Sequence, residues 1–111
     1  MTIYIVDDNH DLVEFLACLL EDTGYKVHPF IHPEDALAHM KAHNIQPLTL
    51  ITDYNLPLMN GYQLYKATQS HAPKVKTIVI SGRDVSTVIG GLSFLQKPFT
   101  PEQLIQMINR L

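Results

Sequence analysis

The sequence predicts a doubly wound α/β fold, in which helices cover both faces of a parallel β-sheet. Short apolar runs alternate with segments of helical period along the whole chain. Runs such as "IYIV" and "TIVI" are continuously apolar, which is typical of strands buried on both faces. At 111 residues the chain is long enough for one hydrophobic core, so residues 1–111 are expected to form one domain.

The first predicted strand comprises residues 3–6, and an amphipathic helix follows it. Apolar residues of this helix recur at positions i, i+3, i+4, i+7 and i+8, which places them on one inward stripe. They are Leu12, Phe15, Leu16, Leu19 and Leu20. Gly24 suits the turn that ends such a helix.

The second predicted strand is "YKVHPF", residues 25–30. Pro29 places it at a sheet edge, because proline cannot donate a ladder hydrogen bond. Pro33 begins the second helix, with Glu34 and Asp35 in its first turn. The inward residues of this helix are expected to be Ala36, Leu37 and Met40.

Three further strands are predicted at "PLTLITD", "KTIVIS" and "FLQ". The first two end at Asp53 and Ser81, and the third is followed by Lys97. A third helix is expected at residues 62–69. The last helix begins with a capping box at Thr100, and its inner face is Leu104, Met107, Ile108 and Leu111.

The composition excludes several classes of protein. A net charge of −3 gives no indication of a nucleic-acid or membrane-surface partner. No apolar run approaches the roughly 18 residues of a membrane span, and the N-terminus does not resemble a secretory signal. Cys18 is the single cysteine and cannot form an internal disulfide. These features together predict a cytoplasmic location.

Polar residues follow four of the predicted strands. Asp7 and Asp8 come directly after the first, Asp53 ends the third, Ser81 ends the fourth, and Lys97 follows the fifth. The carboxyl ends of parallel strands form the ligand crevice of such sheets, so these side chains are expected to converge. Three carboxylates facing one ammonium leave about two negative charges uncompensated, which favours a divalent cation with oxygen ligands such as Mg²⁺.

This set of residues is suited to phosphoryl chemistry. Asp53 is a candidate nucleophile that would form an aspartyl phosphate. A cation beside it would neutralise charge on the phosphoryl oxygens, and Lys97 and Ser81 would contact those oxygens from the other side. Transfer of this kind depends mainly on positioning and electrostatics.

Four motifs, in order and each at a strand end, resemble the receiver domain of two-component response regulators: the Asp7-Asp8 pair, "LITDYNLPLMNG", "ISG" and "FLQKPF". The resemblance spans essentially the whole chain. It implies a flavodoxin-like sheet with strand order 2-1-3-4-5. It further implies that Asp53 accepts a phosphoryl group from a phosphohistidine of a histidine kinase or phosphotransfer protein, as a conformational switch and not as a turnover enzyme.

The resemblance also implies a role for each motif residue. Asp7, Asp8 and Asp53 would hold Mg²⁺ together with the backbone carbonyl of Asn55. Ser81 would be the hydroxyl of the switch. Three further residues would be the phosphate-contacting lysine, a proline after a cis peptide bond and the aromatic switch residue, namely Lys97, Pro98 and Phe94. Phosphate access and lifetime would be governed by Gly82, Arg83 and Asn55.

One segment departs from the family pattern. Only twelve residues separate Ser81 from Phe94, which is close to the minimum for a crossover between parallel strands. The sequence "RDVSTVIGG" is also a poor helix former. We therefore expect a shortened fourth helix in a region that the family uses to read out phosphorylation.

The sequence also allows three other interpretations. A pseudo-receiver would keep the fold as an interaction module without phosphorylation. A small aspartate-nucleophile phosphatase would share much of the residue set, although Asn55 stands where such enzymes have an acid/base aspartate. A flavodoxin-like FMN carrier is disfavoured, because two aspartates in the first loop would repel a phosphate.

Two sets of side chains also have structural interpretations. Phe94 suits ordinary core packing as well as a switch. His39 and His43 stand at i, i+4, a spacing that can chelate zinc, but no third ligand is evident from the sequence. We therefore expect His39 and His43 to lie on a solvated face of the helix.

Overall fold

The computed structural model describes residues 1–111 as five strands and four helices. The strands are β1 (Thr2–Val6), β2 (Lys26–Phe30), β3 (Thr49–Asp53), β4 (Lys76–Ser81) and β5 (Ser93–Gln96). The helices are α1 (His10–Glu21), α2 (Pro33–Ala42), α3 (Gly61–His71) and α4 (Pro101–Asn109). All strand pairs are parallel, in the order β2-β1-β3-β4-β5. The predicted fold class and strand order are confirmed, and β2 with its proline is an edge strand.

The register brings the carboxyl ends of the central strands together. Val6 of β1 lies opposite Thr52 of β3, and Asp53 lies opposite Ile80 of β4. Ser81, the last residue of β4, lies opposite Gln96 of β5. The residues that end or directly follow these strands therefore share one edge of the sheet, as the sequence predicts for a parallel arrangement.

Each face of the sheet is buried under helices. On one face, Ile5 and Ile51 belong to a cluster of 13 buried residues that includes side chains of α1 and α4. On the other face, Tyr4 and Leu50 belong to a cluster of eight buried residues with α2 and α3. Neighbouring residues of one strand thus enter opposite clusters, which explains why β1 and β3 are apolar throughout.

The inward stripe of α1 differs from the predicted one. Phe15 is 55% exposed, so its predicted inward position is wrong. The buried residues are Val13, Leu16, Ala17 and Leu20, which also follow i, i+3, i+4 and i+7 spacing. Two stripes of similar apolar character overlap on this helix, and the one with the smaller side chains packs against the sheet.

Two helix ends also differ from the sequence prediction. The third helix was expected at residues 62–69 and instead runs from Gly61 to His71. The last helix ends at Asn109, so Leu111 lies beyond it and is 39% exposed, contrary to its predicted inward position. Its capping box, between Thr100 and Gln103, is present as predicted.

Residues 82–92 connect β4 to β5 through turns and contain no helix. Val85 and Ile89 of this segment pack against Val79 of β4 in a small buried cluster. The fourth helix, which the sequence predicts to be shortened, is therefore absent altogether. Gly90 has a φ of +63°, a left-handed conformation that interrupts helical geometry, and the connection is short.

The four helices are all short, and the longest has 12 residues. None of them has the length and apolar character needed to cross a membrane.

Candidate functional site

Asp7 anchors the site immediately after β1. Its side chain is fully buried, and its Oδ1 accepts a hydrogen bond of 2.9 Å from the backbone N–H of Asn9. Its Oδ2 lies 2.8 Å from Nζ of Lys97. The Asp7 backbone N–H donates to the carbonyl of Phe30 at 3.1 Å, which ties the loop to β2. Two bonds to the carboxylate and one to the backbone thus fix the position of Asp7.

Asp53 closes β3 beside it. The carboxylate Oδ2 lies 3.3 Å from Nζ of Lys97, and Oδ1 accepts a long hydrogen bond of 3.4 Å from the backbone N–H of Asn55. Burial, together with the negative charge of Asp7, raises the pKa of the Asp53 carboxyl above its ordinary value, and Lys97 offsets only part of that shift. The negative charge of the Asp53 carboxylate is therefore only partly offset by its surroundings.

Lys97 bridges the two buried carboxylates. The Lys97-Pro98 peptide bond is cis, as the resemblance implies, and the Lys97 backbone N–H donates to the carbonyl of Ser81 at 2.8 Å. Burial lowers the pKa of the Lys97 ammonium, but the hydrogen bond and charge of Asp7, with the charge of Asp53, outweigh it, so the pKa is raised. The lysine is firmly cationic.

Asp8 completes an acidic cluster. It is exposed, unlike Asp7 and Asp53, yet the three residues offer carboxylate oxygens within 4.8 Å of one another. Lys97 is the one ammonium bonded to this cluster, and it contacts only the two buried members. A donor set of carboxylates with an exposed member and excess negative charge fits a hard divalent cation such as Mg²⁺.

Ser81 lies at the same edge but outside the acidic cluster. It is fully buried, and its Oγ accepts a hydrogen bond of 3.3 Å from the backbone N–H of Arg83. Gly82 and Arg83 are exposed at the start of the β4–β5 connection, and Asn55 is exposed after β3. The predicted residues that surround the acidic cluster therefore lie on the loops that leave β3 and β4.

Phe94 occupies a separate position on β5. Its backbone is in register with Val79 of β4, and its half-buried ring packs against the small cluster formed by Val79, Val85 and Ile89. The ring is therefore part of the packing beneath the β4–β5 connection. This is the structural role that the sequence left open, and it also places the ring in contact with the segment that starts at Ser81.

Sequence reasoning missed the role of Gly61 in positioning Asp53. A Cβ at Gly61 would lie 2.5 Å from the backbone carbonyl oxygen of Asp53, closer than real Cβ atoms approach. The Gly61 N–H donates to the carbonyl of Tyr54 at 2.8 Å, which closes the loop after β3. Asn60 precedes it as the helix cap, with its side chain accepting from Gln63. The Asn-Gly pair marks a turn in sequence, but its closeness to Asp53 is a tertiary feature.

Asn9 is a second residue that sequence reasoning missed. Its side chain caps α1 by accepting a hydrogen bond of 3.2 Å from the N–H of Leu12. Its own N–H donates to Asp7, so one residue begins the helix and orients a carboxylate of the site. The signal available in the sequence is an asparagine directly before an apolar helical stripe.

Comparison with known proteins identifies the family of the chain. Residues 3–109 match the family model of the response regulator receiver domain. The chain belongs to this family, which serves two-component signalling.

The chain is similar to regulatory proteins and to solved receiver structures. The chain is 34% identical to the transcriptional regulatory protein CssR of Bacillus subtilis, over 99% of this chain and 50% of that protein. Among solved structures, chemotaxis protein CheY4 of Vibrio cholerae superposes with a TM-score of 0.85 at 26% identity, covering 98% of this chain and 96% of that one. The receiver domain of the hybrid histidine kinase CckA gives 0.84 at 27% identity, covering 99% and 97%.

The relatives differ from this chain in length. The chain spans 50% of the length of CssR, 55% of the transcriptional regulatory protein FixJ of Rhizobium meliloti and 18% of the putative response regulator ARR21 of Arabidopsis thaliana. It matches nearly the full length of the two solved structures.

Proposed function

We propose that residues 1–111 form a receiver domain that is phosphorylated on Asp53 by a phosphohistidine of a histidine kinase or phosphotransfer protein. An Oδ oxygen of ionised Asp53 attacks the phosphorus. The new O–P bond forms as the N–P bond breaks, and the electron pair of that bond stays on the imidazole nitrogen, which takes up a proton. The observation that carries the proposal is the ammonium of Lys97, 2.8 Å from Asp7 and 3.3 Å from Asp53.

The residues that would hold Mg²⁺ are Asp7, Asp8 and Asp53, with the backbone carbonyl of Asn55. When bound, the ion supplies positive charge that offsets the carboxylates and the oxygens of the incoming phosphoryl group. The raised pKa of Asp53 supports this proposal, since it reports a carboxylate whose charge the protein alone leaves under-compensated.

Lys97 and Ser81 would contact the phosphoryl oxygens. Lys97 already carries its positive charge beside Asp53, so its ammonium would only exchange part of its hydrogen bonding from carboxylate to phosphoryl oxygen. Ser81 would exchange the hydrogen bond it accepts from Arg83 for one that it donates to the phosphoryl group. Movement of Ser81 would then pull on residues 82–92 and on Phe94, which packs against that segment.

The same arrangement favours a switch over a turnover enzyme. Asn55 cannot serve as the acid/base group that a phosphatase with an aspartate nucleophile needs, so hydrolysis of the aspartyl phosphate would be slow. Gly82, Arg83 and Asn55 surround the site as exposed residues, where they would govern access of water to the phosphoryl group. The protein would thus carry a phosphoryl group for a time and then lose it.

The test is intact mass after incubation with acetyl phosphate, with and without Mg²⁺. We expect a gain of about 80 Da, one phosphoryl group, that requires Mg²⁺ and is absent in Asp53→Asn. Asp35→Asn, an exposed carboxylate in the first turn of α2, is the matched control and should label like the wild type. Labelling of Asp53→Asn to the wild-type extent would refute Asp53 as the acceptor.

A second measurement separates fast hydrolysis from a pseudo-receiver. Beryllofluoride with Mg²⁺ mimics a phosphoryl group on a carboxylate and does not turn over. Amide shifts around Asp53 and Ser81 in an NMR titration would support the receiver function even where no adduct accumulates. A chain that neither labels nor responds to beryllofluoride would be a pseudo-receiver.

A further inference from the structure

Three histidine rings lie together where α2 packs on β2. His28 of β2 is the register neighbour of Tyr4 of β1, and their rings are 5.1 Å apart. The ring centroid of His39 lies 4.8 Å from that of His28 and 4.4 Å from that of His43. The helical pair visible in the sequence therefore gains a third imidazole from the sheet, and the pair does not form a simple solvated face.

The phenol of Tyr4 orients the middle ring of this histidine cluster. Its hydroxyl oxygen lies 2.7 Å from Nδ1 of His39. Burial raises the pKa of Tyr4 to about 12, so the phenol keeps its proton and can either donate to Nδ1 or accept from it. When Nδ1–H of His39 donates to the phenol oxygen, Nε2 carries the free lone pair, so this is the tautomer that metal binding would select. Metal-binding histidines commonly have such a partner on their second nitrogen.

His28 contributes an unsatisfied nitrogen. Its Nε2 is buried and has no hydrogen-bond partner. A buried polar atom without a partner is uncommon in folded proteins and calls for a ligand or a compensating contact. A metal ion held jointly with His39 would supply that contact.

The protonation state of His28 and His39 also suits a metal ion. Burial, with the neighbouring histidines and Lys26, lowers the pKa of His28. Burial and then His43 lower the pKa of His39. Imidazoles that stay neutral keep the lone pair that coordination requires.

The spacing of the rings matches shared coordination. With metal–nitrogen bonds of about 2 Å, two imidazoles on one tetrahedral ion have centroids about 5 Å apart. The two separations from the middle ring, 4.8 Å from His39 to His28 and 4.4 Å from His39 to His43, are close to this value. The nitrogens of the three rings do not all lie within 4.8 Å of one another, so metal binding requires a side-chain rotation, for which the exposed ring of His43 has the most room.

We propose that His28, His39 and His43 bind a divalent transition-metal ion such as Zn²⁺, with Tyr4 positioning the middle ligand. Imidazole ligands suit zinc, copper and nickel, whereas Mg²⁺ prefers oxygen. Three protein ligands leave one coordination position open on the exposed side of His43. This site is separate from the acidic cluster and does not depend on phosphorylation of Asp53.

A second group of possible metal ligands lies on the surface. His10, Asp11 and Glu14 at the start of α1 also offer ligand atoms within 4.8 Å of one another. All three are exposed, and the ion-pair contacts of His10 are with Asp11 and Glu14, His10 Nε2 lying 3.4 Å from Glu14. This group has neither a buried ligand residue nor a buried nitrogen without a partner, so its side chains are those of an ordinary charged surface.

The test is a Zn²⁺ titration of the whole chain, with Mg²⁺ in excess to occupy the acidic cluster. Calorimetry gives the affinity, and long-range ¹H–¹⁵N spectra of the six histidine rings identify the ligands directly. We expect one-site binding that shifts the ring nitrogens of His28, His39 and His43. His39→Gln should abolish it, and Tyr4→Phe should weaken it about tenfold or more.

The controls decide between this site and simpler ones. His32→Gln, an exposed histidine just beyond β2, should bind Zn²⁺ like the wild type. Wild-type affinity in His28→Gln would overturn the three-histidine site, because His39 and His43 alone would then account for the binding. Shifts confined to His10, or no binding at all, would overturn it as well.

Discussion

The crossover from β3 to β4 and the crossover from β4 to β5 start side by side at the carboxyl edge of the sheet, yet they are built differently. The first, residues 54–75, contains α3 with a capping box between Asn60 and Gln63. The second, residues 82–92, contains only turns, and Val85 and Ile89 replace a helix in covering the sheet.

Both crossovers nevertheless leave a residue of the candidate site in place. Asp53 ends the strand before the first and Ser81 ends the strand before the second. Lys97, directly after β5, bonds to the Asp53 carboxylate through Nζ and to the Ser81 carbonyl through its backbone N–H. The register of the strands positions these residues, whereas the length of each connection determines whether a helix covers the sheet. Asp53 and Lys97 therefore lie together although the second crossover has no helix, and we expect their arrangement to depend more on the loop that follows Asp53.

The largest expected effect compares one fully buried side chain from each crossover. Leu64 in α3 and Ile89 in the turns are both inaccessible to solvent. Leu64→Ala should lower the free energy of unfolding by about 4 kcal/mol and Ile89→Ala by about 2 kcal/mol, because turns can collapse into the cavity more readily than a packed helix. Urea unfolding monitored by circular dichroism measures both.

An exposed control accompanies that pair. Val88, 54% exposed in the same turns, should change stability by less than about 0.5 kcal/mol on substitution by alanine. Equal losses for Leu64→Ala and Ile89→Ala would show that the turns are packed as rigidly as the helix.

The next effect compares one glycine from each crossover. A Cβ at Gly61 would meet the backbone carbonyl of Asp53 at 2.5 Å, whereas a Cβ at Gly91 would meet nothing within 4 Å. Gly61→Ala should cost about 1–3 kcal/mol of stability and slow labelling by acetyl phosphate, since the backbone at Asp53 must shift. Gly91→Ala should be neutral or stabilise by about 0.4–1 kcal/mol.

Thermal unfolding and the initial rate of labelling give the two readouts for these glycines. A Gly61→Ala protein that labels at the wild-type rate would mean that the loop after β3 can move without displacing Asp53. The two glycine variants would then differ only in their stability.

The smallest effect concerns the charge of Asp53 in the absence of Mg²⁺. Because its pKa is raised in the folded state, ionisation of Asp53 opposes folding. Its contribution is most favourable below the ordinary pKa of 3.8 and is lost as pH rises through the raised value. Asp53→Asn should therefore be more stable than the wild type at neutral pH, by a margin that shrinks on acidification.

Urea midpoints across the acidic to neutral range measure this margin, and Mg²⁺ added to the wild type should reduce it. A variant less stable than the wild type at neutral pH would indicate that the bond to Lys97 outweighs burial and Asp7. The charge balance inferred for the site would then be wrong.

Much of the fold and of the candidate site could be predicted because both follow from short-range patterns. Continuous apolar runs identify buried strands, and alternation with helical segments requires parallel pairing. Once the strands are parallel, Asp7, Asp53 and Lys97 must come to one edge, since each stands at a strand's carboxyl end. The register and the distances to Lys97 agree with that expectation.

The errors arise where two local patterns are equally good. On α1 the sequence allows an inward stripe through Phe15 or one through Val13 and Ala17, and only packing against the sheet selects the second. Gly61 illustrates the same limit, because its closeness to the carbonyl of Asp53 depends on how α3 is seated. Helical periodicity carries no information about such distances.

The sequence by itself determined the order of strands and helices, the acidic residues at the strand ends and the shortage of chain between Ser81 and Phe94. Each is a property of neighbours along the chain. The tertiary structure alone decided that the turns of residues 82–92 replace the expected fourth helix entirely. It also decided that His28 from β2 lies beside His39 and His43 from α2. These outcomes depend on which surfaces meet across the sheet, and that is set by packing and register between residues far apart in sequence.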